Sequence, residues 1–202
     1  MSDDAKYSIT LADAAAVTAG FPFRGSIEDH PHGDTVVAQM RNASPERGID
    51  WDGAVRTVLP GRKAPRFLVS GDVLFAARGA NNYAVLVEGS PKRAVCSPHF
   101  FVVSVKDGVD LLPPFLAWQI NQAPVQQQLD AAATGSHIRN IRRQALEDLR
   151  IVVPPMETQC TIIEFARAAL AERRLLENLI INRKQQTDAL ALGLFKRKGV
   201  QE

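Results

Sequence analysis

Val152-Val153-Pro154-Pro155-Met156-Glu157-Thr158-Gln159 is the stretch on which the reading of this chain turns. A proline ring pushes the residue before it out of the α region, so Val153 and Pro154 are extended, whereas Pro155 suits the first position of a helix. A helix therefore starts here. From Glu157 to Lys198 there is no proline and no glycine before Gly193, and Ala, Leu, Arg, Glu, Gln and Lys dominate, residues that lose little freedom in a helix. At ~1.5 Å per residue, about forty such residues make a rod of roughly 60 Å, about twice the width of a small domain.

One domain cannot cover such a rod. Its apolar positions, Ile162, Phe165, Ala166, Ala169, Leu176, Leu179, Ile180, Leu190 and Leu194, recur at helical spacings and form one stripe. Glu172, Arg183 and Gln186 interrupt it, and polar residues in a helical seam restrict register and choice of partner. The stripe predicts a docking or dimerising helix; the alternative is a helix folded back over its own domain.

Upstream, the chain reads as one β-rich domain. Ser8 to Ala19 predicts a short strand or turn and then a brief alanine-rich helix stopped by Gly20. Thr35 to Met40 is β-branched and strand-like, and further strands are expected within Ala54–Leu59, Phe67–Val69, Val73–Ala77, Tyr83–Val87, Ala94–Cys96 and Phe100–Val105. Pro113-Pro114 launches a helix through Ile120, and Pro124 another over Val125–Ala133 closed by Gly135. A short helix at Gln144–Asp148 and a strand at Leu149–Val153 lead into the rod. Strands followed by helices, with no repeating β-α-β order, give the class α+β: a β-rich domain over residues 1–153 and a long coiled-coil-type helix over 154–202.

Composition bounds the function. The 202 residues are 46% hydrophobic and 23% charged, enough for one core plus an appendage. No apolar run approaches the ~20 residues that span a bilayer, and the acidic Met1-Ser2-Asp3-Asp4 start is unlike a signal peptide, so a cytoplasmic chain with no membrane partner is expected. Cys96 and Cys160 lack metal-type spacing, and His30 and His32 flank Pro31 in a polar loop; no metal site is expected. His99 and His137 have no accompanying nucleophile and acid, and no catalytic residue is assigned. The net charge is only +2, yet Arg56, Arg62, Lys63, Arg66, Arg78, Lys92 and Arg93 face only Asp72 and Glu88 in their segment, a local excess of five. Arg139, Arg142, Arg143 and Arg150 form a second cluster. Arginine's planar fork fits phosphates and guanine edges, so both clusters suggest a nucleic-acid face. The competing account is surface charge balanced by acidic neighbours in the fold.

The order of motifs resembles the specificity subunit of type I restriction-modification systems. The residues carrying the resemblance are Gly71-Asp72-Val73-Leu74-Phe75 with Arg78-Gly79, Leu112-Pro113-Pro114-Phe115-Leu116-Ala117, and Ala133-Thr134-Gly135-Ser136. Leu146-Glu147-Asp148-Leu149-Arg150-Ile151-Val152-Val153-Pro154-Pro155, Gln159 and the long final helix continue it. The resemblance implies a target recognition domain joined to a spacer helix. Full-length members carry two such units in tandem, each reading half of a bipartite DNA site, whereas this chain carries one. That departure implies either a half-size subunit acting as a homodimer through its C-terminal helix or a fragment. In an isologous pair two equivalent domains would read an interrupted palindrome.

The resemblance further implies a non-catalytic chain whose partners are double-stranded DNA, a modification (methyltransferase) subunit and a restriction (motor-nuclease) subunit. No cofactor is expected on this chain; S-adenosylmethionine belongs on the methyltransferase partner. For reading bases, Arg62, Lys63, Arg78, Asn81, Asn82 and Tyr83 have suitable chemistry beside the predicted strands. Arg24, Arg41, Lys92, Arg93, Arg139 and Arg142 suit phosphate contacts that position the duplex. Ile162, Phe165, Ala169, Leu176, Leu179, Ile180 and Leu190 are the expected dimer and docking positions.

Two other readings compete. Leu112-Pro113-Pro114-Phe115 is similar to the Pro-Pro-aromatic loop of DNA amino-methyltransferases, but Leu112 stands where a polar residue should accept the target amino group, and no glycine-rich cofactor loop is present. A coiled-coil assembly protein that never reads DNA is the other, and sequence-specific duplex binding discriminates it.

Overall fold

The computed structural model describes residues 8–61, 64–134 and 139–198, and the chain divides between Ile163 and Glu164 into two compact units. The class is α+β, a β-rich domain and a long C-terminal helix.

In the first unit, β1 (Ser8–Thr10) runs into the single helical turn α1 (Leu11–Ala14). Thr10 caps that turn: its hydroxyl donates to Asp13 at 2.6 Å and accepts from the Asp13 N–H, an exchange that holds the Asp13 carboxyl below its usual pKa. The alanine-rich helix expected next is confined to this turn. Ala15–Ala19 instead forms strand β2, because pairing with a neighbouring strand (Phe100–Val105) buries Ala15 and Val17 and outweighs alanine's helical propensity. β3 (Thr35–Ala38) is wholly buried and ends in a 3-10 turn at Met40–Asn42; the short pair β4 (Ala43–Ser44) and β5 (Gly48–Ile49) follows, then β6 (Val55–Thr57). β7 (Val73–Ala76), β8 (Arg78–Gly79), β9 (Ala84–Leu86), β10 (Ala94–Cys96) and β11 (Phe100–Val105) complete the strand-rich half. Phe67–Val69 is not a strand, although Leu68 is buried and its N–H bonds the Ala94 carbonyl.

The main sheet runs β2-β11-β7-β9, antiparallel throughout; a second runs β10-β3-β6, with β10 parallel to β3. β7 is buried on both faces, and its alternation divides it between two cores. Val73 and Phe75 pack with the helices, while Leu74 and Ala76 pack with Leu68, Val85, Phe100 and Val102. Side chains at i and i+2 share a face of a strand, so a continuous apolar run is what a doubly covered strand requires.

The helical half is α2 (Pro113–Ile120), α3 (Ala123–Ala132), the short strand β12 (Arg139–Asn140), α4 (Arg143–Glu147), β13 (Arg150–Val152) and α5 (Met156–Lys198). Prolines sit in the first turns of α2 and α3, as their fixed φ and missing N–H favour. Gly135, expected to close α3, lies outside the described residues. β13 pairs antiparallel with β1, Ile151 opposite Ile9, which brings the end of the domain back to its beginning. Among the described residues, no helix is long and apolar enough to cross a membrane, and no three His, Cys, Asp or Glu cluster as metal ligands.

The start of α5 is fixed by Gln159. This side chain is 0% exposed, accepts from the Leu112 N–H at 2.8 Å, and donates to the carbonyls of Asp110 at 2.7 Å and Pro154 at 2.8 Å. Three backbone groups of two loops thus converge on one amide, and Ile163, one turn on, joins the helical core. In the second unit, Phe165, Leu176, Leu179, Ile180, Leu190 and Leu194 are exposed, while Arg173 and Glu177 form an i,i+4 pair at 2.9 Å.

Candidate nucleic-acid interface

Two clefts meet on the strand side of the domain, and several of the expected basic residues come together there. The first, about 460 Å³, is lined by Arg41 and Arg78 with Gln39, Met40, Ser97, Pro98 and His99, and by Phe23, Gly25, Ser26 and Ile27. The second, about 590 Å³, shares Phe23, Ser26 and Ile27 and adds Arg24, Glu28, Asp29, His30, Thr57 and neighbouring loop residues.

Local structure places each side chain. Gly20 continues from β2 against Ser97, so closely that a Cβ there would lie 2.1 Å from the Ser97 carbonyl oxygen; this steers Phe21–Gly25 over the end of β10. Arg41 projects from the 3-10 turn after β3. Arg78 sits on β8, opposite Asn140 of β12, and Gly79 beside it has φ +149° and abuts Met40, where a Cβ would fall 2.6 Å from the Met40 methyl carbon. Only glycine suits both that angle and that contact. Arg78 and Arg41 are therefore carried to one cleft by residues 37 positions apart.

The electrostatics of the two clefts differ. The first has two exposed guanidinium groups and no acidic lining residue, and neither arginine makes an ion pair among the described residues. In the second, Arg24 shares the walls with Glu28 and Asp29, the latter accepting from the Arg56 N–H. Only the first cleft offers two arginines free of acidic neighbours for phosphate oxygens or a guanine edge.

The other candidates are distributed differently. Asn81 and Lys92 are exposed on turns, and Arg142 is exposed where the chain enters α4. Arg93 pairs with Asp34 at 3.1 Å and lies over the Phe67 ring at 5.0 Å, and Arg139 pairs with Asp130. Asn82 faces inward: it is 4% exposed and donates to the Ala76 carbonyl at 2.9 Å, so it serves the β7–β9 turn, with no path to a base edge. Tyr83 is half-buried, its hydroxyl donating to the Ala43 carbonyl at 2.9 Å; burial, with Glu46 nearby, raises its pKa. Arg62, Lys63 and His137 lie outside the described residues.

Charge counting also overstated the segment from Arg56 to Arg93. Arg66 makes a two-pronged pair with Asp72, at 2.7 and 3.1 Å, and Asp72 also accepts from Ser104 and the Val69 N–H. Asp72 is 2% exposed, and its four hydrogen bonds supply what an ionised carboxylate needs when withdrawn from water. The Gly71-Asp72 motif is thus a structural clasp. Likewise Leu112-Pro113-Pro114-Phe115 is built into the helical core, with Phe115 buried and the Leu112 N–H held by Gln159, an arrangement unlike an open catalytic loop.

Sequence reasoning missed Gln39, Ser97 and His99 as cleft residues. A polar side chain directly after the buried run Thr35–Ala38, two residues before Arg41, is the signal that could have found Gln39.

Comparison with known proteins bears on the fold. No protein-family model matches the chain, and no curated protein matches it either. Solved structures do. The type I restriction-modification S subunit from M. genitalium aligns with a TM-score of 0.56 at 19% identity, over 88% of this chain and 42% of that one. The HsdS subunit from Thermoanaerobacter tengcongensis aligns with a TM-score of 0.64 at 19% identity, over 91% and 46%. A chain from a structure on complex assembly and conformational transition of the type I R-M system gives 0.65 at 17%, again over 91% and 46%. This chain thus has the fold of about half of such a subunit.

Proposed function

We propose that this chain is a non-catalytic specificity subunit of a type I restriction-modification system, reading one half of a bipartite DNA site. The observation that carries the reading is the match of about nine-tenths of this chain, recognition-type domain and long helix together, to S subunits of which it spans less than half. Two copies account for the length of one such subunit. In this reading the exposed stripe of α5 meets the same stripe of a second copy, and the pair holds two equivalent domains on an interrupted palindrome. Arg41 and Arg78, with Arg24 beside them, face the duplex. Methyl transfer and cleavage reside on separate modification and restriction subunits that dock on this chain, and S-adenosylmethionine is bound by the former.

Selection of bound duplexes from a random library at near-physiological salt tests this, run with the chain alone and in parallel with its modification subunit, the mass in solution being recorded alongside. An interrupted palindrome bound by a dimer is expected. A single asymmetric half-site bound by a monomer removes the homodimer. No motif in either selection removes the specificity role and leaves a coiled-coil assembly protein.

A further inference from the structure

Two residues that line the Arg41–Arg78 cleft each carry a buried polar side-chain atom without a hydrogen-bond partner, Nε2 of Gln39 and Oγ of Ser97. Such atoms are rare in folded proteins because a buried donor loses its water and gains nothing. The two others among the described residues, Oδ1 of Asn42 and Oδ1 of Asn82, belong to amides already engaged through Nδ2, with the carbonyls of Gly53 and Ala76. Gln39 has no such anchor. Its backbone is fixed, because the Ala38 carbonyl accepts from the Ser97 N–H at 2.9 Å and the Gln39 carbonyl accepts from the Asn42 N–H at 2.9 Å. Its carboxamide can turn toward a ligand without giving up a bond.

Resting on the specificity reading above, we infer that Gln39 reads an adenine in the major groove beside the base or phosphate held by Arg78. A carboxamide presents a donor and an acceptor side by side, matching N7 and the N6 amino group of adenine, whereas a guanidinium matches O6 and N7 of guanine. The immediate neighbours Met40 and Gly79 abut, so the two readers address adjoining positions.

The test is the same selection with the full chain as wild type, Gln39→Ala, Gln39→Glu and Arg78→Ala, each checked for folding by thermal melting. The wild type is expected to require an A·T pair within about two positions of one that Arg78→Ala relaxes. Gln39→Ala should cut preference at that A·T pair about tenfold or more, leaving other positions and the salt slope unchanged. Gln39→Glu, nearly isosteric, should shift preference toward cytosine, whose amino group a carboxylate accepts, and it carries the test if the alanine variant is unstable. A wild-type motif retained by a folded Gln39 variant overturns the inference alone. Absence of any motif in the wild type overturns the specificity reading beneath it.

Discussion

The side-chain amide of Gln119 and the backbone of Val152 exchange two hydrogen bonds, Nε2 to the carbonyl at 3.0 Å and the Val152 N–H to Oε1 at 2.9 Å. Gln128 does the same for Arg150, and Asn121 for Ala84 at the edge of β9. Residues i and i+2 of a strand point their backbone groups to one side, so Arg150 and Val152 face α3 and α2 while Ile151 faces β1. Helical amides thus stand in for a missing third strand. Gln119→Leu keeps the volume and removes both bonds, stranding the Val152 N–H. A loss of about 1–3 kcal/mol is expected, seen as a lower urea midpoint at unchanged m-value.

Gln159 should matter more. Gln159→Ala orphans backbone groups of Asp110, Leu112 and Pro154 together, and the expected cost is on the order of 3 kcal/mol. Gln159→Glu is expected to be at least as harmful, since a carboxylate cannot donate to the two carbonyls and brings a charge into a fully buried site. Urea denaturation of both variants checks this.

These amides show what sequence could and could not disclose. The starts of α2, α3 and α5 were legible because a proline acts on its own neighbours. The same is true of β7, whose apolar run had no other place than between two cores. Gln159 stands in plain view after Pro154-Pro155, yet two of its three partners lie 47 and 49 residues upstream, and no local pattern encodes those two. Ala15–Ala19 read as helix because alanine favours one, and only the partner strand β11 decides otherwise. Arg66 counted as a free positive charge for the same reason: a sum over a segment ignores that Asp72 folds back to meet it.

That distinction between clasped and open arginines is measurable in one salt titration. Arg66→Ala leaves Asp72 buried without its cation, and a loss on the order of 2 kcal/mol is expected. This is less than for a fully buried pair, because the Arg66 side chain is 39% exposed. At a temperature where the variant is folded, its DNA salt slope should match wild type. Arg41→Ala should instead melt as wild type and flatten the slope of log K against log salt by about 0.9, and Arg24→Ala, whose cleft also holds Glu28 and Asp29, should flatten it less. A changed slope for Arg66→Ala would contradict the clasp.

The two thiols should separate cleanly. Cys96 is buried between β3 and the Leu74 side of the sheet, and burial pushes its pKa from 9.0 up to about 12, whereas Cys160 is exposed on α5. At pH 8 the folded chain is expected to take one iodoacetamide adduct, on Cys160, and a second only in denaturant, as read by mass spectrometry. The raised value also fixes the sign of its linkage to folding. Between about pH 9 and about pH 12 the unfolded thiol ionises while the folded one does not, so the contribution of Cys96 to stability falls as pH rises through that window.

The apolar stripe of α5 makes the last prediction. Leu176, Leu179, Ile180 and Leu190 are 54, 51, 69 and 72% exposed, and Leu176 and Leu190 lie fourteen residues apart, four turns on one face. In an isologous pair every substitution occurs twice, so Leu176→Glu removes two leucines from the seam and sets two carboxylates into it. At about 1.5–3 kcal/mol for each buried leucine, the dissociation constant should rise at least about a hundredfold. Sedimentation equilibrium should then find a monomer at concentrations where the wild type forms the proposed homodimer. Leu192→Glu is the matched control, because Leu192 is equally apolar and 62% exposed but lies off the stripe, two residues past Leu190. Its mass in solution should remain that of wild type; dissociation by both variants alike would mean that apolar surface in general, and not this stripe, holds the copies together.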